Sequence, residues 1–378
     1  MKYCKTCLTT SLRPNSEFDD NGICIACNFE SSSNKPNFLA NKNLLQNKIA
    51  DILNKENKDR SFDCIVGVSG GKDSVRQAEW VRDNLNLRTL LICCAYPPLQ
   101  MSKIGGLNIE NLISLGFNFE IFTPSPKSSQ KLSKEAFFEF GNVCKHSEKV
   151  LFSIVTKIAI EKKIPIVFWG ENPSIQEGDS RSMGLDIFDA NSIHQLNTLS
   201  SGGNKWIIDT VGLEKAKPYI FPLDRLKESS LSMLYLGPAW NDWSNNTNSA
   251  HAALNGLHLR PGEEKITGDI SNASMLDENF TNINMMIKYY KFGFGRATDF
   301  VNEMIRKKIY SRNEGIKIVK EYDGICSNDI ITEYCKYIEI KNDIFWENIN
   351  KWTNKDLFDV TKNNRPIAKF KVGEDFNG

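Results

Sequence analysis

The stretch Phe62-Asp63-Cys64-Ile65-Val66-Gly67-Val68-Ser69-Gly70-Gly71-Lys72-Asp73-Ser74 decides the fold. Its first half is a short apolar run ending in a turn, the pattern of a strand buried on both faces. Its second half is a compact turn of serines, glycines, a lysine and an aspartate. Beyond it, Val75, Ala78, Trp80 and Val81 take helical spacing through Asn84. A strand, a glycine-rich turn and a helix in that order let backbone N–H groups and a helix N-terminus wrap an anionic phosphate. Gly70 and Gly71 permit close approach, the Ser69 and Ser74 hydroxyls can donate, and Asp73 is the candidate to hold Mg²⁺ on the phosphates. The stretch lacks the Gly-x-x-x-x-Gly-Lys-Ser/Thr pattern of a Walker A loop.

Working outward, strands are expected at residues 90–96, 117–122 and 164–169, with helices at 104–115, 133–140 and 147–162. That alternation predicts an α/β fold with a doubly wound parallel sheet. Ligands of such sheets bind beyond the carboxyl ends of the strands. Gly170, Glu171 and Asn172 follow the strand at 164–169 and so fall on the rim of the Ser69–Ser74 site. Glu171 is a candidate metal or substrate contact, or else a capping carboxylate. Residues 176–274 read as loop-rich, with strand or helix pieces at 221–223 and 231–236. The four histidines have no metal-ligand spacing.

Cys4-x-x-Cys7 and Cys24-x-x-Cys27 stand 16 residues apart, the spacing of a ribbon holding one structural Zn²⁺ on four thiolates. An iron–sulfur cluster and a redox dithiol pair are the alternatives. Cys93 and Cys94 are adjacent within an expected strand, so they point to opposite faces and cannot chelate together.

The 378 residues carry 47 Lys+Arg against 46 Asp+Glu, a balance of +1, with 40% hydrophobic residues. These proportions exclude wholesale disorder, and the charge gives no general field for nucleic acid. No apolar run approaches the ~20 residues of a membrane helix, and the N-terminus lacks a leader's apolar core. A cytoplasmic, reducing location is expected, with no membrane partner.

Four regions are expected: a Cys4 zinc ribbon (1–35), a linker helix (36–60), a phosphate-loop domain (61–290) and a helical C-terminal region (291–378). In the last, Ser311-x-x-Glu314 is a capping box and 329–376 reads as helical and aromatic. Arg296, Arg306 and Arg312 are candidate cations for a triphosphate or an acidic sugar, or surface ion-pair partners.

Ser-Gly-Gly-Lys-Asp-Ser resembles the PP-loop of the N-type ATP pyrophosphatase superfamily. With the cysteine ribbon, Trp169-Gly170-Glu171-Asn172-Pro173 and Gly293-Phe294-Gly295-Arg296-Ala297-Thr298-Asp299, the chain resembles the N-acetyl sugar amidotransferases of O-antigen, pseudaminic and legionaminic acid pathways. The resemblance spans residues 1 to about 324. It implies ATP with Mg²⁺ as co-substrate and conversion of an N-acetyl group to an acetamidino group through an O-adenylyl imidate. It implies catalytic roles for Lys72, Asp73 and Glu171, and ATP binding by Ser69, Gly70, Gly71, Lys72, Asp73, Ser74, Gly170 and Arg296. Position 2 is Lys and no stretch has the size of a glutaminase domain. Ammonia is therefore expected from a separate HisH-like glutaminase with a HisF-like companion. The rival reading is a PP-loop tRNA thiolase, for which Cys144 is the only comparably placed thiol.

Overall fold

The fold is that of a computed structural model, which describes residues 1–31, 37–56, 59–170, 185–240, 242–360 and 365–377. Five parallel strands form the central sheet: β1 (Cys64–Val68), β2 (Thr89–Cys94), β3 (Asn118–Phe122), β4 (Ile166–Trp169) and β5 (Ser232–Tyr235). Their spatial order is β3-β2-β1-β4-β5. The chain builds outward from β1 to one edge, then returns to build the other edge from β4. The switch point lies between β1 and β4, where such sheets open a crevice.

Alternate residues of each strand enter different cores, as the strand period requires. Val66, Leu91, Phe168 and Leu234 pack on one face; Ile65, Leu90, Ile92, Val167 and Met233 pack on the other. The first face is covered by α2 (Phe38–Lys55), α3 (Lys72–Leu85) and α4 (Lys103–Ser114), the second by α5 (Pro126–Phe140) and α6 (Lys145–Glu161). α1 (Ile25–Ser31) belongs to the cysteine module. Burial on both faces explains why β1 and β2 read as unbroken apolar runs, whereas the edge strand β3 is largely exposed.

Beyond β4 lie α7 (Lys205–Val211) and α8 (Asn245–Leu254), and α8 packs along α3. Both fall in the stretch expected to be loop-rich. The C-terminal region contains α9 (Thr281–Phe292), α10 (Arg296–Arg306), α11 (Arg312–Tyr322), α12 (Asn328–Tyr337) and α13 (Asn342–Trp352). The Ser311–Glu314 capping box is formed at the start of α11. Helix does not continue to 376, as expected from sequence. It stops at Trp352, and the tail forms a small antiparallel pair, Phe358–Asp359 with Ile367–Ala368. Phe358 and Phe370 in that tail pack edge to face beside Tyr289 and Tyr290, so their burial comes from a hairpin rather than an amphipathic helix.

Among the described residues, no helix is long and apolar enough to cross a membrane.

Candidate functional site

β1 ends at Val68, and the chain turns through Ser69, Gly70 and Gly71 into α3. Gly70 has φ +87°, and a Cβ there would lie 3.2 Å from the backbone of Asn108 and Ile109 on α4. Glycine is thus required both by conformation and by space. Gly71 is the N-cap of α3 and contributes no capping side chain, so the first-turn N–H groups remain available to an anion. The turn is braced internally. Ser74 Oγ donates to the Gly71 carbonyl at 3.0 Å, and the Gly71 N–H donates to Ser69 Oγ at 3.3 Å.

Lys72 is 3% exposed, and its Nζ lies 2.5 Å from Asp73 Oδ2. Asn248 of α8, fully buried, donates its Nδ2 to Asp73 Oδ1 at 2.7 Å. Burial works to raise the Asp73 carboxyl, but Lys72, Asn248 and the charge of Arg296 together hold it below the usual carboxylate range. Asp73 is therefore ionised, the state that a candidate metal ligand requires. Asn248 is itself held by Arg76, whose Nη1 donates to Asn248 Oδ1 at 2.6 Å. Arg76 also pairs with Asp242 at 2.5 Å. The aspartate thus rests on a chain of side chains running from α3 to α8.

The opposite wall comes from the segment between Arg260 and Arg296. Asp277 reaches the Ser69 hydroxyl and feels the charge of Arg260; burial nevertheless pushes its carboxyl above the ordinary value. The segment is pinned to the start of α4, with the Ser102 N–H donating to the Asp277 carbonyl at 3.0 Å. Arg296, at the start of α10, donates to Ser274 Oγ, while its Nε is buried with no hydrogen-bond partner among the described residues.

Gly170 follows β4. Continuing the β1–β4 register places it opposite Val68, on the rim of the loop. Its Cβ position is filled by Trp243, 2.7 Å away. The structure thus brings Ser69, Gly70, Gly71, Lys72, Asp73, Ser74, Gly170 and Arg296 to one carboxyl edge. Glu171, with Asn172 and Pro173, lies outside the described residues. Arg306 stands at the far end of α10 from Arg296, about 15 Å along the helix. Arg312 donates to the carbonyls of Cys7 and Gly373, so it braces the cysteine module. Neither serves the phosphate loop.

Asp277, Asn248, Arg76 and Arg260 were not read from sequence as site residues. Asn248 meets Asp73 across 175 residues and Arg76 meets Asn248 across 172, while Arg260 lies near Asp277 in sequence; no local motif marks any of the four.

Cys144 lies just before α6 and is buried, with Sγ 3.7 Å from Glu278 Oε1 and 3.5 Å from Thr281 Oγ1. Burial, then the Glu278 charge, push its thiol well above the ordinary value. Glu278 is fully buried and accepts the N–H groups of Phe280 and Thr281 at the start of α9. Burial pushes its carboxyl up to about 7.

The ligand atoms of Cys4, Cys7, Cys24 and Cys27 all lie within 4.8 Å of one another, and all four residues are buried. Cys7 and Cys24 Sγ atoms are 3.7 Å apart. A tetrahedral ion with metal–sulfur bonds of ~2.3 Å spaces its sulfurs by about 3.8 Å. The set fits a single tetrahedral metal. The Thr9 N–H reaches Cys7 Sγ and the Cys24 N–H reaches Cys4 Sγ, backbone hydrogen bonds that favour thiolate ligands.

The five-stranded parallel sheet, its switch point and the Ser-Gly-Gly-Lys-Asp-Ser loop after β1 form the doubly wound α/β arrangement that the resemblance to PP-loop ATP pyrophosphatases implies. Residues 276–372 match the family model described as LPS biosynthesis protein WbpG-like, C-terminal domain. No curated protein matches the chain. Among solved structures, the U34-tRNA thiolase NcsA from Methanococcus maripaludis with its 4Fe-4S cluster aligns over 80% of this chain and 88% of its own. The identity is 14% and the TM-score 0.33, a likeness that carries no assignment of reaction.

Proposed function

We propose that the protein is an ATP-dependent amidotransferase acting on an N-acetylated sugar of bacterial surface polysaccharide biosynthesis. The observation that carries this reading is the joining of two features. The segment matching the LPS biosynthesis family supplies Asp277 and Arg296, and both act on the ATP loop, at Ser69 and Asp73 respectively.

An amide carbonyl is a poor electrophile, because nitrogen donates into it. On this reading its oxygen attacks the α-phosphorus of ATP. An O–P bond forms, the bond to the β-phosphate bridge breaks, and pyrophosphate leaves with the electron pair. The amide N–H proton is lost, giving an O-adenylyl imidate. Ammonia then adds to the imidate carbon, the C–O bond breaks, AMP leaves, and an acetamidino group remains. The uncapped α3 N-terminus and Lys72 hold the departing pyrophosphate, and Arg296 offsets developing charge beside Asp73. Asp73 would hold Mg²⁺, which when bound offsets the charge on the pyrophosphate. Glu171 keeps its proposed role as a substrate or metal contact.

Zn²⁺ is the metal proposed for the four cysteines. The 3.7 Å sulfur separation suits one ion, whereas a multi-iron cluster holds its thiolates further apart. The resemblance to the sugar amidotransferases supports ammonia supply by a separate HisH-like glutaminase with a HisF-like companion. The protein should form amidine with ammonium but not with glutamine alone. Activity of the isolated chain on glutamine would remove that partnership.

A thiolation running through a free thiolate would find in Cys144 a buried thiol shifted the wrong way. Cys144→Ser should leave amidine formation within about threefold of wild type, since no step passes through the thiol. The reading as a whole is tested by sugar-dependent exchange of labelled pyrophosphate into ATP. Exchange that requires an N-acetylated sugar supports it, and exchange indifferent to the sugar contradicts it.

A further inference from the structure

Adenylylation of an amide oxygen releases one proton from the amide nitrogen, and a group at the site has to accept it. Most of the described titratable groups around the loop are unsuited to that task. Burial notwithstanding, Lys72 and Asn248 hold Asp73 below the usual carboxylate range, and both of its oxygens are engaged. Glu278 has no exposed surface and spends its oxygens on the Phe280 and Thr281 N–H groups. Cys144 and His146 are buried as well. Burial keeps the first a neutral thiol and makes the second a poor base, pushed down to about 3.

Asp277 differs on each count. It is only half-buried, so a substrate can reach it. Its carboxylate accepts from the Ser69 hydroxyl and from the N–H groups of its own residue and Glu278, and it makes no ion pair among the described residues. The guanidinium of nearby Arg260 donates instead to the Leu276 carbonyl at 3.4 Å and to Asn279 Oδ1 at 2.9 Å. Ser69 Oγ already accepts the Gly71 N–H, which leaves its hydroxyl hydrogen to point at Asp277. Burial raises the Asp277 carboxyl, and a raised carboxyl is a stronger base. The backbone is shaped to present it. Met275, two residues earlier, has φ +53°, a conformation that costs a bulky residue energy. Such strain persists only where the surroundings over-determine it, and here α4 does so. Ser102 donates its N–H to the Asp277 carbonyl and its hydroxyl to the Leu276 carbonyl, and Gly105 leaves room for that approach.

We propose that Asp277 is the catalytic base of the site, taking the acetamido N–H proton as the O–P bond forms and returning it to the imidate nitrogen as ammonia adds. The proton balance closes. Pyrophosphate leaves in the first half and AMP in the second, and Asp277 ends ionised beside an amidinium product. The proposal rests on the amidotransferase reading and deepens it, since it assigns the proton acceptor that the reaction requires. Ser69 gains a part as well, because its hydroxyl holds the carboxylate toward the loop.

The test compares wild type, Asp277→Asn and Asp277→Glu in sugar-dependent exchange of labelled pyrophosphate into ATP. The sugar probes are N-acetylglucosamine, UDP-N-acetylglucosamine and N-acetylneuraminic acid. Asparagine keeps the shape and can still accept from Ser69, so ATP binding by calorimetry should stay within about twofold while exchange falls by ~10²–10³. Asp277→Glu supplies a displaced base and should recover part of the rate. The wild-type rate should fall towards acid pH as the carboxylate takes up a proton, and the residual rate of Asp277→Asn should lack that fall. Arg260, Glu278, Tyr96 after β2 and Cys93 within it are the other charged or titratable groups facing Asp277, and all three proteins share them. Exchange by Asp277→Asn within about threefold of wild type overturns the base and leaves the reaction standing. Lost ATP affinity with the acid fall retained marks a positioning residue and overturns it too. Wild-type exchange with none of the sugars removes the reaction and the base together. Should Asp277→Asn not fold, carbodiimide labelling of the wild type read by mass spectrometry decides. Asp277 should label faster than Asp73 and Glu278, and Asp277 left unlabelled overturns the base.

Discussion

Asp73 sits where one residue decides the chemistry. Its two oxygens are taken by Lys72 and Asn248, and it stays ionised despite burial. Asp73→Asn preserves the shape and removes the charge, so pyrophosphate exchange should fall by ~10²–10³, in the range of losing one preorganised electrostatic group. Asn248→Ala removes only the brace and should cost less, about tenfold, with the larger effect on the Mg²⁺ dependence. Glu278 gives a prediction in pH. Its folded carboxyl, raised to about 7 by burial, lies above its unfolded value of about 4.3. The proton is therefore held more tightly in the folded chain. The associated stability is full below the unfolded value and is lost as pH rises through the folded one. Glu278→Gln should flatten the fall in urea midpoint between about pH 5 and pH 8, and a wild-type slope in the variant would assign the effect elsewhere. Ser69–Ser74 was legible in sequence because its contacts are local. Asn248 and Asp277 were not, because they meet the loop across 175 and more than 200 residues.

At the scale of elements, α4 shows how the site is kept closed. Ser102 caps it, and Gly105 in its first turn lets the Asp277 backbone approach: a Cβ on Gly105 would lie 2.5 Å from the Asp277 carbonyl oxygen. Gly105→Ala should therefore displace the 276–278 segment and cost ~1–3 kcal/mol. Thermal unfolding would show the loss, and weaker ATP binding would show that Asp277 had moved. Gly106, on the same turn, has open space at its Cβ position and serves as the control. β1, β2, β4 and the helices α2 to α6 were readable because periodicity and burial agree along them. β5 and α8 were not. β5 is four residues long, and α8 is mostly Asn, Ser and Ala, with little apolar stripe to reveal it. The tail after Trp352 was misread because aromatic density suggests helix, while a short hairpin buries the same rings.

The C-terminal helices link the four-cysteine module to the phosphate loop proposed to bind ATP. Leu8 packs with Val301, Ile305 and Val319, and Asn302 Oδ1 accepts the Leu8 N–H at 2.7 Å. Arg13 and Lys288 both pair with Asp299, at 2.6 and 2.5 Å. α10 thus carries Arg296 at its start and the ribbon's docking residues along its length. Removing the metal with a chelator, or by Cys24→Ser, should lower the thermal midpoint and also weaken ATP binding through α10. Loss of metal with no change in ATP affinity would show that the ribbon is docked but not coupled. The central claim, that the sugar's amide oxygen is the group adenylylated, is tested most directly by isotope transfer. A sugar whose acetamido oxygen is heavy-labelled is incubated with the protein, ATP, Mg²⁺ and ammonium, and the products are weighed. The label should appear in AMP, with the sugar lighter by the difference between oxygen and NH; label left in the sugar or found in pyrophosphate would contradict the account.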